Sequence, residues 1–220
     1  MINNYGIKPW DINFKAFFIV LISLLSGFGT AAQNSLSKDF SAENISTVKI
    51  DGSEIFNITV ESSISSRISL TSILDGEYQN QYQIVTQRNT DTLNISLKII
   101  PFTTQTDDKR HAHKVIAATL HVELPDNLDL KIGSDVGSAI INGKFKRLSV
   151  ALLQGNCFFE GKASTALINT IDGTIKVITK NANVHAISKN GIVNIDTNKP
   201  TGDSWRLESI NGNISVHNQE

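Results

Sequence analysis

Five glycines, Gly137, Gly155, Gly173, Gly191 and Gly212, follow one another at intervals of 18, 18, 18 and 21 residues. The last interval contains Pro200-Thr201-Gly202, a three-residue insertion whose removal restores the period. Around each glycine the same four apolar columns recur. Seven residues before it stand Leu130, Leu148, Ala166, Val184 and Trp205, and five before it Ile132, Val150, Ile168, Ala186 and Leu207. Two after it come Ala139, Cys157, Ile175, Val193 and Ile214, and four after it Ile141, Phe159, Val177, Ile195 and Val216. Few folds can accommodate such a pattern.

Apolar residues at alternate positions describe a strand with one buried face. Each unit reads as strand, glycine corner, strand and polar return. A unit this short cannot bury its apolar face alone, so neighbours must stack into a continuous core. Stacked strands lie about 4.8 Å apart. The pairs Asp172-Gly173, Asn190-Gly191 and Asn211-Gly212 fit corners that need a positive φ. The same pairs are also hairpin signals, so an antiparallel meander is a rival. Whole-column equivalence at a fixed period favours the all-β solenoid, a parallel β-helix-like stack of about five 18-residue coils.

The rest of the chain divides around this repeat. Lys8 and Lys15 precede an apolar run from Ala16 to Phe28, followed by the small residues Gly29-Thr30-Ala31-Ala32. That order is a secretory signal peptide over residues 1–32, cut before Gln33. The alternative is an uncleaved anchor, for which the run falls short of the roughly 20 apolar residues a spanning helix needs. No cysteine follows the run, which argues against a lipoprotein anchor. Residues 33–127 form a β-rich cap region, with strands expected at 48–50, 55–60, 67–72, 82–86, 93–99 and 114–124. A polar loop is expected over Thr103–His113. The cap is expected to be continuous with the repeats of residues 128–220, because an open strand edge invites aggregation. Trp205, bulky and in the final unit, is expected to plug the other end.

Chemistry is harder to find. With net charge −1 and 19% charged residues, no global field points to nucleic acid or an acidic membrane. Cys157 is the single cysteine, which excludes an intramolecular disulfide and reads as a small buried hydrophobe. His111 and His113, near Asp107 and Asp108, are weak metal candidates on an expected loop. His121, His185 and His217 read as solvent-facing strand residues. Five after each glycine come Asn142, Glu160, Ile178, Asp196 and His217. Stacking in chain order puts Glu160 and Asp196 two coils, or roughly 9 to 10 Å, apart, which suits an inverting glycosidase pair. No supporting cluster surrounds them, and no phosphate loop, zinc helix or serine elbow occurs. The reading calls for no catalytic residue and no cofactor. Three after the glycine, Ile140 and Phe158 form an apolar patch outside the core columns. It is expected to be covered by the N-terminal half, the alternative being a partner site.

The segments Val136-Gly137-Ser138-Ala139-Ile140-Ile141-Asn142-Gly143, Ile171-Asp172-Gly173-Thr174-Ile175 and Ile210-Asn211-Gly212-Asn213-Ile214-Ser215-Val216 resemble the bacterial "putative adhesin" families. These include the head domain of auto-transporter adhesins. The entry Leu120-His121-Val122-Glu123-Leu124-Pro125 before Leu128-Asp129-Leu130 is similar to theirs, and Ala32-Gln33 looks like a Bacteroidetes cleavage site. The resemblance covers about residues 45–218. It implies an exported β-solenoid with an adhesive role and carries over no catalytic residue. The expected protein is therefore a non-catalytic binding or envelope-associated module. Its expected partners are a glycan or an envelope surface protein, with no nucleic acid and no membrane span after cleavage. The alternatives are a polysaccharide-active β-helix enzyme and a purely structural envelope protein.

Overall fold

Alternation of apolar and polar residues yields strands, and the described residues contain no helix. The computed structural model describes residues 34–74, 82–100, 118–180, 182–196 and 204–219. The expected signal segment, the loop with His111 and His113, and the Pro200-Thr201-Gly202 insertion lie outside them. Residues Asn34–Glu220 make one unit. Its strands are β1 (Asn34–Ser41), β2 (Thr47–Asp51), β3 (Asn57–Ser63), β4 (Arg67–Leu74), β5 (Tyr82–Asn89), β6 (Thr92–Ile99) and β7 (Ala118–Pro125). There follow β8 (Asp129–Ser134), β9 (Ser138–Gln154), β10 (Cys157–Asp172), β11 (Ile175–Thr179), β12 (Asn183–Ser188), β13 (Val193–Asp196), β14 (Ser204–Ser209) and β15 (Ile214–Asn218).

All fifteen belong to one open sheet whose pairings trace two rows. One row runs β1-β4-β7-β3-β9-β10-β11-β15-β13. The other runs β5-β6-β2-β8-β9-β10-β14-β12. Strands β9 and β10 pass through both rows, so the polar return expected between units is itself strand. The turn from row to row falls at Gly143 and Gly161, whose φ values of 121° and 143° suit glycine. Inside the bend sit Phe145 and Ala163, an inward column that the four-column pattern did not include. Phe145 and Phe159 rings lie 6.1 Å apart, and Phe159 and Trp205 rings 5.3 Å, so the two rows share one core.

Adjacent repeats pair in parallel, which a meander of hairpins could not produce. Ala139 pairs with Cys157 and Cys157 with Ile175, each an 18-residue offset. The next step departs from chain order. Ile175 pairs with Ile214, and Ile214 then pairs with Val193. The opposite row agrees: Ala166 pairs with Trp205, and Trp205 with Val184. The fifth repeat is thus inserted between the third and the fourth.

Trp205 does not plug the end. It is 2% exposed, with its indole Nε1–H donating to the Ala163 carbonyl at 2.9 Å. Its column neighbours Ala166 and Val184 are small, which makes room for the ring on both sides. The fourth repeat forms the terminal edge instead. There Val193 and Ile195 are 37% and 40% exposed, while their counterparts Ile214 and Val216 are buried.

This order predicts a cross-link. Lys176 and Ser215 are direct register partners, so cysteines there are expected to oxidise to a disulfide. Cysteines at 176 and 194, neighbours in chain order, have β15 between them and are expected to stay reduced. Gel mobility with and without reductant reads the result. Bridging of 176 to 194 alone would restore the chain-order stack.

The other end carries the β-rich region before the repeats. Strands β2 and β3 continue the parallel ladders onto β8 and β9, with Val48 beside Leu130 and Val60 beside Ile141. Beyond them β6 and β7 are also parallel, whereas β5, β4 and β1 reverse to antiparallel. Strand β1 escaped the sequence pattern, since Asn34–Ser41 carries only Leu36 and Phe40 as apolar anchors. It is an edge strand that needs to bury only one side.

Candidate functional site

The glycine corner is built by close approach of backbones. A Cβ on Gly155 would stand 2.2 Å from the Gly137 carbonyl oxygen, and one on Gly173 1.8 Å from that of Gly155. The series continues from Gly212 onto Gly173 at 1.8 Å and from Gly191 onto Gly212 at 2.2 Å. Of the five, Gly155 alone has a positive φ, 149°. The expected positive-φ corner is therefore corrected for Gly173, Gly191 and Gly212: they are glycine because neighbouring repeats leave no room for a side chain, and Gly137 is crowded in the same way by the Ile55 carbonyl.

Beneath this corner, three residues before four of the five glycines, stand the hydroxyls of Ser134, Thr170, Ser188 and Ser209, with Leu152 in the second repeat. Ser134 Oγ donates to Gly52 O at 2.9 Å, Thr170 Oγ1 to Gly173 O at 2.8 Å, and Ser188 Oγ to Gly212 O at 2.6 Å. Outside them, Asn156 Oδ1 accepts from Thr174 N and Asn213 Oδ1 from Ile192 N, both at 2.8 Å. Ser188, Asn156 and Asn213 join one repeat to another, Ser134 ties the first repeat to the region before it, and Thr170 closes the corner of its own repeat. The glycine period carries most of these polar positions, with Leu152 the exception at minus three and Ile192 at plus one.

The acid pair separates. Glu160 pairs with Ile178, Ile178 with His217, and His217 with Asp196. Three strand spacings put the backbones about 14 Å apart, one spacing more than stacking in chain order would give. The expected 9 to 10 Å is corrected because the fifth repeat lies between them. Cys157 is 1% exposed, and burial pushes its thiol up to about 12, which leaves it protonated and unreactive at neutral pH. His121 lies 3.6 Å from Glu123, both on the outward side of β7. Among the described residues no three of His, Cys, Asp and Glu gather as a metal ligand set.

Ile140 and Phe158 are register partners, as expected from their shared column. Ile140 is 37% exposed, and β3 lies beside it through Thr59 rather than over it. Phe158 is half-buried with the Lys176 ammonium 5.7 Å from its ring centre. A buried carboxylate went unpredicted: Asp129, 3% exposed, accepts from Arg147 Nε at 2.8 Å. It ties the first repeat to the second and raises the guanidinium pKa.

At the bend corner an open groove of about 500 Å³ is lined by Asn142, Gly143, Lys144, Glu160, Gly161, Lys162 and Gln219. Lys144 and Lys162 are register partners, and Gly143 and Gly161 form the backbone between the rows. Lys144 Nζ reaches Asp126 at 3.4 Å.

The fold has a counterpart in the crystal structure of a "putative cell adhesion protein" from Clostridium sporogenes. The match has a TM-score of 0.60 at 11% identity and covers 86% of this chain and 100% of that one. The likeness is one of fold. A "putative adhesin" from Bacteroides fragilis matches at a TM-score of 0.37 and 14% identity, over 86% of this chain and 98% of that one. No protein-family profile matches the sequence, and no curated protein does.

Proposed function

We propose that this chain is an exported, non-catalytic β-solenoid that acts as an adhesin-like or envelope-associated binding module. The observation that carries the reading is the parallel register of the repeats, which stacks equivalent positions into long continuous faces. Such faces suit extended ligands, whose repeating units can meet repeating side chains. The fold shared with the Clostridium sporogenes protein supports the adhesive reading. The wide separation of Glu160 and Asp196 weighs against a glycosidase pair. Export rests on residues 1–32, with the mature chain beginning at Gln33.

The test exposes mature protein to envelope and capsular polysaccharides and follows both retention and cleavage. Retention without cleavage is expected, unchanged in Glu160→Gln and Asp196→Asn. Cleavage that vanishes in either variant would replace the binding module with an enzyme. A full-length mass in the membrane fraction would overturn the processing at Gln33.

A further inference from the structure

The bend corner holds a second column, seven residues after each glycine, that the core pattern leaves unexplained. Lys144 and Lys162 are direct parallel partners. Lys180 takes the same place one repeat on, just after Thr179, whose Oγ1 donates to Gly161 O at 2.8 Å. Gln219 follows Asn218, the partner of Thr179, and closes the column. All three lysines are exposed, and strand spacing sets the backbones of Lys144 and Lys162 about 4.8 Å apart. Like charges placed directly opposite on neighbouring strands destabilise a sheet. Asp126 relieves Lys144 alone. Among the described residues no carboxylate lies within ion-pair distance of Lys162 or Lys180.

Nothing in the fold requires cations here. The lysines pack against no core, and the stacked glycines already shape the corner. Lys144 and Lys162 line the groove, which is open and reaches Gln219, three strand spacings or about 14 Å from Lys144; Lys180 stands in the same column at its margin. Glu160 and Asn142 also line it, one as an acceptor and the other as donor and acceptor for hydroxyl groups. A row of lysines beside hydroxyl-binding side chains matches a linear chain of hydroxylated, anionic units. We infer that this groove binds an acidic polysaccharide, its carboxylates or sulfates against Lys144 and Lys162 and, at the groove's margin, Lys180, and its hydroxyls against Asn142 and Glu160. The inference rests on the binding-module reading and gives it a site. The net charge of −1 separates the local ladder from general attraction of polyanions.

The probes are polygalacturonate, as a linear polyuronate, and a neutral linear glucan, each titrated against the mature protein. Tighter binding of the polyuronate is expected. The double change Lys162→Gln and Lys180→Gln should weaken it about tenfold and flatten its salt dependence. Lys131→Gln with Lys189→Gln, exposed lysines outside the groove, should leave it unchanged, and melting curves should show both variants folded. Equal binding of the two glycans, insensitive to the groove lysines, would overturn the ladder while leaving a binding module. Binding of neither glycan would also overturn the ladder, and the envelope-material screen would then decide the broader reading separately. Single-stranded DNA or anionic vesicles bound as tightly as the polyuronate, and lost in the same variant, would overturn the glycan assignment.

Discussion

Val177→Asp is expected to abolish the folded state. Val177 is fully buried in β11, flanked by its register partners Phe159 on one side and Val216 on the other. A carboxylate there would lose its hydration and find only apolar neighbours, a cost of several kcal/mol. Whole domains are stable by only about 5–15 kcal/mol. The adjacent Lys176 points outward, with its ammonium over the Phe158 ring. Lys176→Ser removes only a cation–π contact, worth about 0.5–1 kcal/mol at an exposed site. Urea titration followed by circular dichroism separates the two. Equal losses for both would mean that the inside and outside of the strand are wrongly assigned.

Gly212→Ala is expected to be nearly as damaging, although it adds one methyl group. The new Cβ would stand 1.8 Å from the Gly173 carbonyl oxygen and 2.3 Å from its carbon. Both are backbone atoms held in the parallel ladder, so β11 and β15 must part locally. Over-packing commonly costs about 1–3 kcal/mol and exceeds that where backbone must move. Gly133→Ala is the comparison, since a Cβ there meets nothing within 4 Å. It should be neutral or slightly stabilising. Gly212→Asn adds a second distinction. Asparagine would rescue a corner that only needed positive φ, but it is expected to fail at a corner that lacks space. Melting temperatures of the three variants decide, and a stable Gly212→Asn would refute the crowding argument.

Both results bear on what could be read in advance. The inward columns were legible because alternation is local: Ile175, Val177, Ile214 and Val216 are buried as the pattern requires. The glycine column was legible too, although the reason given for it was conformational. Spacing within one unit cannot show that the Gly155 carbonyl approaches Gly173 so closely. The candidate site was legible only in part. Ile140 and Phe158 do share a column, and the lysines at 144, 162 and 180 keep the same period. The lysines carry no apolar periodicity, because exposed cations give no burial signal.

The sequence by itself determined that the chain is all-β, which side chains face inward, and that the repeats match at an 18-residue offset. These follow from periods of two and eighteen residues, and each is fixed by chemistry within a single unit or its copy. Tertiary structure decided which unit lies beside which. The inward columns of the last two repeats are both apolar, so either could have followed β11 on polarity alone. Side-chain volume and burial separate them. The fifth repeat brings Trp205 between Ala166 and Val184 and supplies the buried Ile214 and Val216. The fourth is left outside with Val193 and Ile195 exposed. That exchange moves His217 between Glu160 and Asp196, and so a packing choice in the core sets the distance between two acids on the surface.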